Sequence, residues 1–305
     1  MRSFQVRSIL VATAFALASC GGGGGSALVT PGSVPPPTTT APPPPQAPAT
    51  PPLIIPAAAT NQQFAAMGAT DSFSAGQSPR LDSENQLQVR YLASSNSYEV
   101  QVPGSQAWSG ISYIFTGSGT PINFGNDAAH LWLRSAGYQY SSLFEWSANN
   151  SIYGHEAIGM ATPAGGVPVT GSATYLGQIL GSTSEIHFPD DMGIDGSISM
   201  RFNFGAGTLS GSITPNLRQD FASFSLGTLN FRDTVYAAGS PTFSGKFDTN
   251  LAGINGFGGQ FTGPNAQELI GNFAFPYQSP IDNQTYQADG AFVGRGGATT
   301  NRTSP

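Results

Sequence analysis

The chain has 305 residues, only 9% of them charged, with 39 glycines, 24 prolines and a formal net charge of −6. This acidic balance, with Lys246 as its one lysine, excludes a basic nucleic-acid footprint and electrostatic docking on anionic lipid. Low charge with abundant Gly, Ser, Thr and aromatics points to strands and turns, and a single cysteine excludes an intrachain disulfide.

The first element is a leader. Arg2 and Arg7 give a positive start, Ile9 to Ala16 an apolar run too short to span a membrane, and Leu17-Ala18-Ser19-Cys20 a lipobox. Residues 1–19 are expected to be a lipoprotein signal peptide and Cys20 the site of lipid (palmitate) attachment; the other reading is an ordinary secretory signal. With the two leader arginines removed, nine basic side chains face seventeen acidic ones, a formal charge of −8. Residues 20–60 follow as a disordered tether: Gly21 to Gly25, then Pro35-Pro36-Pro37 and Pro42 to Pro45. Proline favours extended polyproline II, so the spacer holds a domain up to ~100 Å from its anchor. Leu53-Ile54-Ile55 is an apolar patch that can dock on that domain.

Residues 61–165 form a strand-rich, handle-like region. Asn61 to Met67 reads as a short helix. Leu87–Leu92 and Tyr98–Val102 read as strands, the second alternating Tyr98, Val100 and Val102 with Glu99 and Gln101. Further strands are expected at Tyr113–Phe115, His130–Arg134 and Ser142–Trp146.

Residues 166–296 are more regular. Ile198, Met200, Phe202 and Phe204 share one face, against Ser197, Ser199, Arg201 and Asn203 on the other; Phe243 and Phe247 flank Gly245; Ala288, Gly290 and Phe292 alternate with Asp289, Ala291 and Val293. Large rings mixed with glycine on one face suit a small closed barrel, whose interior tapers and whose closure removes free edges. A membrane-spanning barrel is the alternative, with Arg201, Asn203, Lys246 and Asp248 then pointing to its lumen. Residues 297–305 are expected to be a disordered tail.

The stretch from Phe257 to Phe273 is the most specific in the folded part: Phe257, Gly259, Phe261, Gly263, Pro264, Asn265, Ala266, Glu268, Gly271 and Phe273. It reads as a hairpin whose tip is a helical turn begun by Pro264 and completed by Ala266 to Leu269, with Gly271 allowing re-entry into a strand. Glu268 satisfies backbone donors at the turn or bridges to a neighbour. This stretch resembles the closing motif of the transferrin-binding protein B barrel family of Gram-negative surface lipoproteins. Gly171 to Gly177 is similar to that family's opening strand, Phe204 to Gly211 to its internal hairpin, and Tyr286 to Gly294 to its last strand. The resemblance implies an all-β fold, with a C-terminal eight-stranded antiparallel barrel and a smaller N-terminal handle. It also implies an outer-membrane location, surface exposure, and a protein or solute ligand (iron- or haem-related among them). An outer-membrane transporter or a surface-lipoprotein export factor would be a partner. Family members with two lobes bind transferrin, and one such unit fits here, so no ligand-binding residue is carried over.

No catalytic pattern emerges. His130, His155 and His187 lack metal-ligand spacing, and Asp190, Asp191 and Asp195 do not match a calcium loop. G-x-S-x-G is absent, and Gly205-Ala206-Gly207 is a hairpin turn rather than a dinucleotide loop. Glu145, Glu156, Glu185 and Glu268 show no pairing of the kind glycosidases need. Trp108, Trp132 and Trp146 read as core, or, if exposed, as a protein- or sugar-binding surface. The expectation is a binding protein without cofactor or metal; a structural or protective lipoprotein is the alternative, and an envelope enzyme the third reading.

Overall fold

The computed structural model describes residues 52–70, 86–114, 122–134, 137–149, 152–186 and 192–297. The leader, Cys20, the tether as far as residue 51, His187, Asp190, Asp191 and the tail from residue 298 lie outside them.

The described chain is all-β. Nine strands form the handle: β1 (Gln62–Gln63), β2 (Ala65–Thr70), β3 (Gln88–Leu92), β4 (Ser97–Gln101), β5 (Ser109–Ile114), β6 (Ile122–Gly125), β7 (Ala129–Leu133), β8 (Ser141–Ala148) and β9 (Ile152–Gly159). They pair in the order β1-β3-β4-β5-β6-β7-β8-β9-β2. β1 and β2 are separated only by Phe64 yet lie at opposite ends of that order, so the sheet curls until its edges meet. The strands expected from alternation are present. The helix expected over Asn61–Met67 is not: Gln62 pairs with Tyr91 and Ala65 with Gly159. A segment of near-neutral propensity takes the conformation its neighbours can hydrogen-bond. Ile54 and Ile55 pack in the handle core with Phe64, Val89, Tyr98, Phe144 and Trp146, so the apolar patch docks and the packed chain begins before residue 60. The Ile54 N–H donates to Tyr98 Oη at 3.1 Å, and burial pushes the Tyr98 phenol up to about 12.

The barrel follows: β10 (Ser172–Thr183), β11 (Met192–Asn203), β12 (Thr208–Gln219), β13 (Ala222–Ser225), β14 (Leu229–Val235), β15 (Thr242–Phe247), β16 (Gly256–Thr262), β17 (Glu268–Gln278) and β18 (Thr285–Gly296). The order β11-β10-β18-β17-β16-β15-β14-β12 is closed by a β11–β12 pairing, giving an eight-stranded antiparallel barrel; β13 is a short hairpin return on β12.

Rings fill the barrel. Phe202 has Tyr175, Phe243, Tyr236, Phe261 and Phe204 around it at centroid distances of 4.8–6.1 Å. Phe247 contacts Phe231, Phe257 and Phe275 at 5.3–5.8 Å. Glycines make the space: a Cβ at Gly271 would overlap the Phe292 ring, and one at Gly259 the Phe243 ring. Gly271 lies inside β17, so its role is room for a ring rather than the turn expected of it. Arg201, Asn203 and Lys246 are exposed on the outer wall. Rings inside and polar groups outside are the reverse of a lipid-facing barrel. Among the described residues no helix is long and apolar enough to cross a membrane.

Handle and barrel share a small apolar seam of Leu143 and Ala157 against Leu180, Ile270, Ala291 and Val293. Main-chain bonds reinforce it: Thr162 N–H donates to the Phe261 carbonyl at 3.0 Å and Gly263 N–H to the Met160 carbonyl at 2.8 Å.

Candidate binding surface

Antiparallel closure sends alternate connections to the same end of the barrel. The β10–β11, β12–β13, β15–β16 and β17–β18 connections therefore share one rim. On them sit Ile186, Phe221, Leu251, Ile254 and Ile281, all exposed large apolar residues, with Phe221 fully in solvent at a hairpin tip. Single exposed apolar residues are ordinary; several on neighbouring loops mark an interaction surface.

The β15–β16 and β17–β18 rim loops are held from beneath. Asn255 bonds the Phe247 main chain twice, accepting from its N–H and donating to its carbonyl, each at 2.9 Å. Gln287 accepts from the Ile254 N–H at 3.0 Å and donates to the Ile254 carbonyl at 2.9 Å. Buried Glu185 accepts from Tyr277 Oη and Ser279 Oγ, each at 2.7 Å. Burial pushes the Tyr277 phenol up, so it stays a donor at neutral pH. Tyr286 donates to Asp282 at 2.7 Å, and that bond pushes its phenol up to about 12. Fixed loops lose little entropy on binding.

The opposite end of the barrel carries the C-terminal motif. Gly263 has φ +82°, and a Cβ there would meet Gln267 Oε1 at 2.6 Å and the Tyr140 ring at 2.7 Å. Pro264 is in the turn, Asn265 N–H donates to Gln267 Oε1 at 2.9 Å, and Ala266 takes a positive φ of 56°. Buried Ala266 accepts from Tyr175 Oη at 2.5 Å through its carbonyl. The expected helical turn over Ala266–Leu269 gives way to β17, which starts at Glu268: a left-handed Ala266 turns the chain straight into the sheet. Glu268 bridges to the handle. Its carboxylate accepts from Gln139 N–H at 2.8 Å, Tyr140 N–H at 2.9 Å and Ser141 Oγ at 2.7 Å, with Arg295 at 3.4 Å.

Of the remaining sequence candidates, Trp132, Glu145 and His155 stand opposite one another on β7, β8 and β9, and the others scatter. His130 stacks on Trp132, whereas His155 meets Ser182 Oγ at 3.3 Å and stands 3.9 Å from Glu145. Burial lowers the His155 imidazole to about 4, against a smaller pull upward from Glu145. Glu156, next along β9, is fully buried, and burial pushes its carboxyl well above the carboxylate range. Glu185 and Glu268 lie at opposite ends of the barrel. Among the described residues no group of His, Cys, Asp and Glu has the geometry to hold a metal ion. Trp146 is core as expected; Trp132 and Trp108 are half-buried, the latter under the Arg90 guanidinium at 4.3 Å. Sequence reasoning missed the rim. Its one signal was an apolar ring at a turn, Phe221 following Asp220, which has φ 47°.

Residues 167–300 match the family described as the C-lobe and N-lobe beta barrels of Tf-binding protein B. No curated protein matches the chain. Among solved structures it is similar to intact Ap-TbpB with N and C lobes, at 14% identity and a TM-score of 0.43, covering 76% of this chain and 46% of that one. It is similar to transferrin binding protein B from Haemophilus parasuis Hp5 at 15% identity and a TM-score of 0.39, covering 71% and 51%. The chain thus spans about half the length of these proteins. HpuA from Kingella denitrificans, solved in complex with human haemoglobin, matches at 15% identity and a TM-score of 0.42, covering 80% of this chain and 90% of that one. The motif, the closed eight-stranded wall and the family match fall on the same residues, so the C-terminal part of this chain is similar to the barrel domains of transferrin-binding protein B.

Proposed function

We propose that this chain is a surface lipoprotein, acylated at Cys20 behind a signal peptide of residues 1–19, that captures a host protein through the rim loops of its barrel. The observation that carries the reading is the set of exposed apolar side chains on four loops at one barrel end, Phe221 foremost, above a hydrogen-bonded support. Aromatic anchors on a pre-formed surface are what protein recognition uses. A proline-rich tether carries the domain away from the outer membrane, where a transporter would receive the ligand and an export factor would deliver the lipoprotein.

The barrel family is named for transferrin binding, so iron-carrying host proteins are the first ligands to test. The full chain is immobilised and exposed to transferrin and to haemoglobin. Binding of either is expected, with Phe221→Asp weakening it at least about tenfold and leaving the melting temperature unchanged. Binding that Phe221→Asp and Ile254→Asp leave intact removes the rim from the reading, and retention of no host protein favours a structural lipoprotein. Labelled palmitate incorporation, abolished by Cys20→Ser, tests the anchor.

A further inference from the structure

A cleft of about 250 Å³ runs along the seam between handle and barrel. Cross-strand register builds its handle side. Trp132 on β7 stands opposite Glu145 on β8, which stands opposite His155 on β9; one row along, Ser147 faces Tyr153. Such neighbours project from the same face about 5 Å apart, so Trp132, Glu145, His155 and Tyr153 form one wall. Arg218 on β12 stands across from them, with Ser182 beside His155.

The charges in this cleft do not cancel. Arg134 Nη2 donates to Glu145 Oε2 at 2.5 Å, so that carboxylate is already matched. Arg218 Nη2 is 3.9 Å from Glu145 Oε1, beyond hydrogen-bond reach. His155 is neutral at pH 7 because burial lowers it to about 4. Within the cleft two guanidiniums face one carboxylate, and the second carboxylate near them, Asp195, lies outside it. Asp195, in the adjoining groove, accepts from Asn216 Nδ2 at 3.2 Å. Gly193 gives the Arg218 guanidinium its room: a Cβ there would stand 2.8 Å from Nη2. Above the charges, Tyr153 is 43% exposed and Trp132 half-buried.

We propose that this cleft binds a small organic anion, a carboxylate or phosphate monoester with a planar apolar body. The anionic head takes the open donors of Arg218 and Arg134, since a guanidinium fork matches either oxyanion. The body lies against the Trp132 and Tyr153 rings. Because Arg218 belongs to the barrel and the other groups to the handle, the ligand ties the two together. Nothing in this depends on protein capture at the rim.

The test is calorimetric titration of the full chain at pH 7 with benzoate and with phenyl phosphate, inorganic phosphate serving as the head alone and benzyl alcohol as the body alone. Saturable one-to-one binding of an aryl acid is expected, weaker binding of inorganic phosphate, and none of benzyl alcohol; the tighter aryl acid distinguishes carboxylate from phosphate. Arg218→Gln lowers the affinity about tenfold, ~1.4 kcal/mol. Gly193→Ala does the same by displacing the guanidinium, and so decides the matter if the first variant does not fold. Trp132→Leu weakens the aryl acids and spares inorganic phosphate. No saturable binding by the wild type, or equal affinity in the wild type and in the folded arginine or glycine variant, overturns the proposal.

Discussion

Glu268 shows how one side chain joins two lobes. Its carboxylate is 2% exposed and accepts from two main-chain N–H groups and a hydroxyl of the handle. Glu268→Ala takes the shared acceptor from these partly buried donors, and a loss of about 2 kcal/mol is expected in chemical denaturation. Glu268→Gln keeps one carbonyl acceptor and costs about 1 kcal/mol. Two neighbours on β9 set opposite pH limits. His155 titrates near 4 when folded, below its ordinary 6.5, so the unfolded chain takes up its proton first. Its contribution is present above about pH 6.5 and is lost as pH falls towards 4. The Glu156 value is raised, so its contribution is full at acid pH, below its ordinary 4.5, and is lost as pH rises through the folded value. Urea midpoints measured from about pH 4 to 9 should flatten on the acid side in His155→Gln and on the alkaline side in Glu156→Gln. Glu268 was legible in the sequence as a bridge or a turn brace. Its partners in the handle were not, because they stand more than 120 positions away along the chain.

Strands of the barrel were readable because their two faces differ in every second residue. Ile198, Met200, Phe202 and Phe204 all point inward, as alternation requires. The β1–β2 segment was not readable, since its extended form is imposed by β3 and β9 on a sequence without alternation. Gly271 is the subtler case. The residue was conspicuous in the motif, but its reason is the Phe292 ring lying over it from β18. Gly271→Ala drives a methyl into that ring and into the Gly258 carbonyl, and is expected to cost 1–3 kcal/mol or more. A paired Gly271→Ala, Phe292→Leu variant should recover part of the loss in thermal denaturation, which a backbone-conformation role for the glycine would not allow.

At the scale of the molecule, the sequence showed a barrel and a strand-rich partner, and it left the contact between them blank. That contact is made by six buried apolar residues with Ala65, Met67 and Tyr138 beside them, the Glu268 carboxylate, main-chain bonds, and side-chain bonds such as Asn272 Nδ2 to the Gly68 carbonyl. The rim was hidden for a related reason. Ile186, Phe221, Leu251, Ile254 and Ile281 are spread over 96 positions and become a single surface only when the wall closes. All three tryptophans, Trp108, Trp132 and Trp146, belong to the handle, and the barrel has tyrosine and phenylalanine alone. Indole emission is therefore a private reporter of one lobe, whereas far-ultraviolet ellipticity averages over both. In the wild type the two melting traces should superimpose. In Glu268→Ala the fluorescence trace should break at a lower temperature than the ellipticity, because the smaller lobe has been uncoupled from the larger.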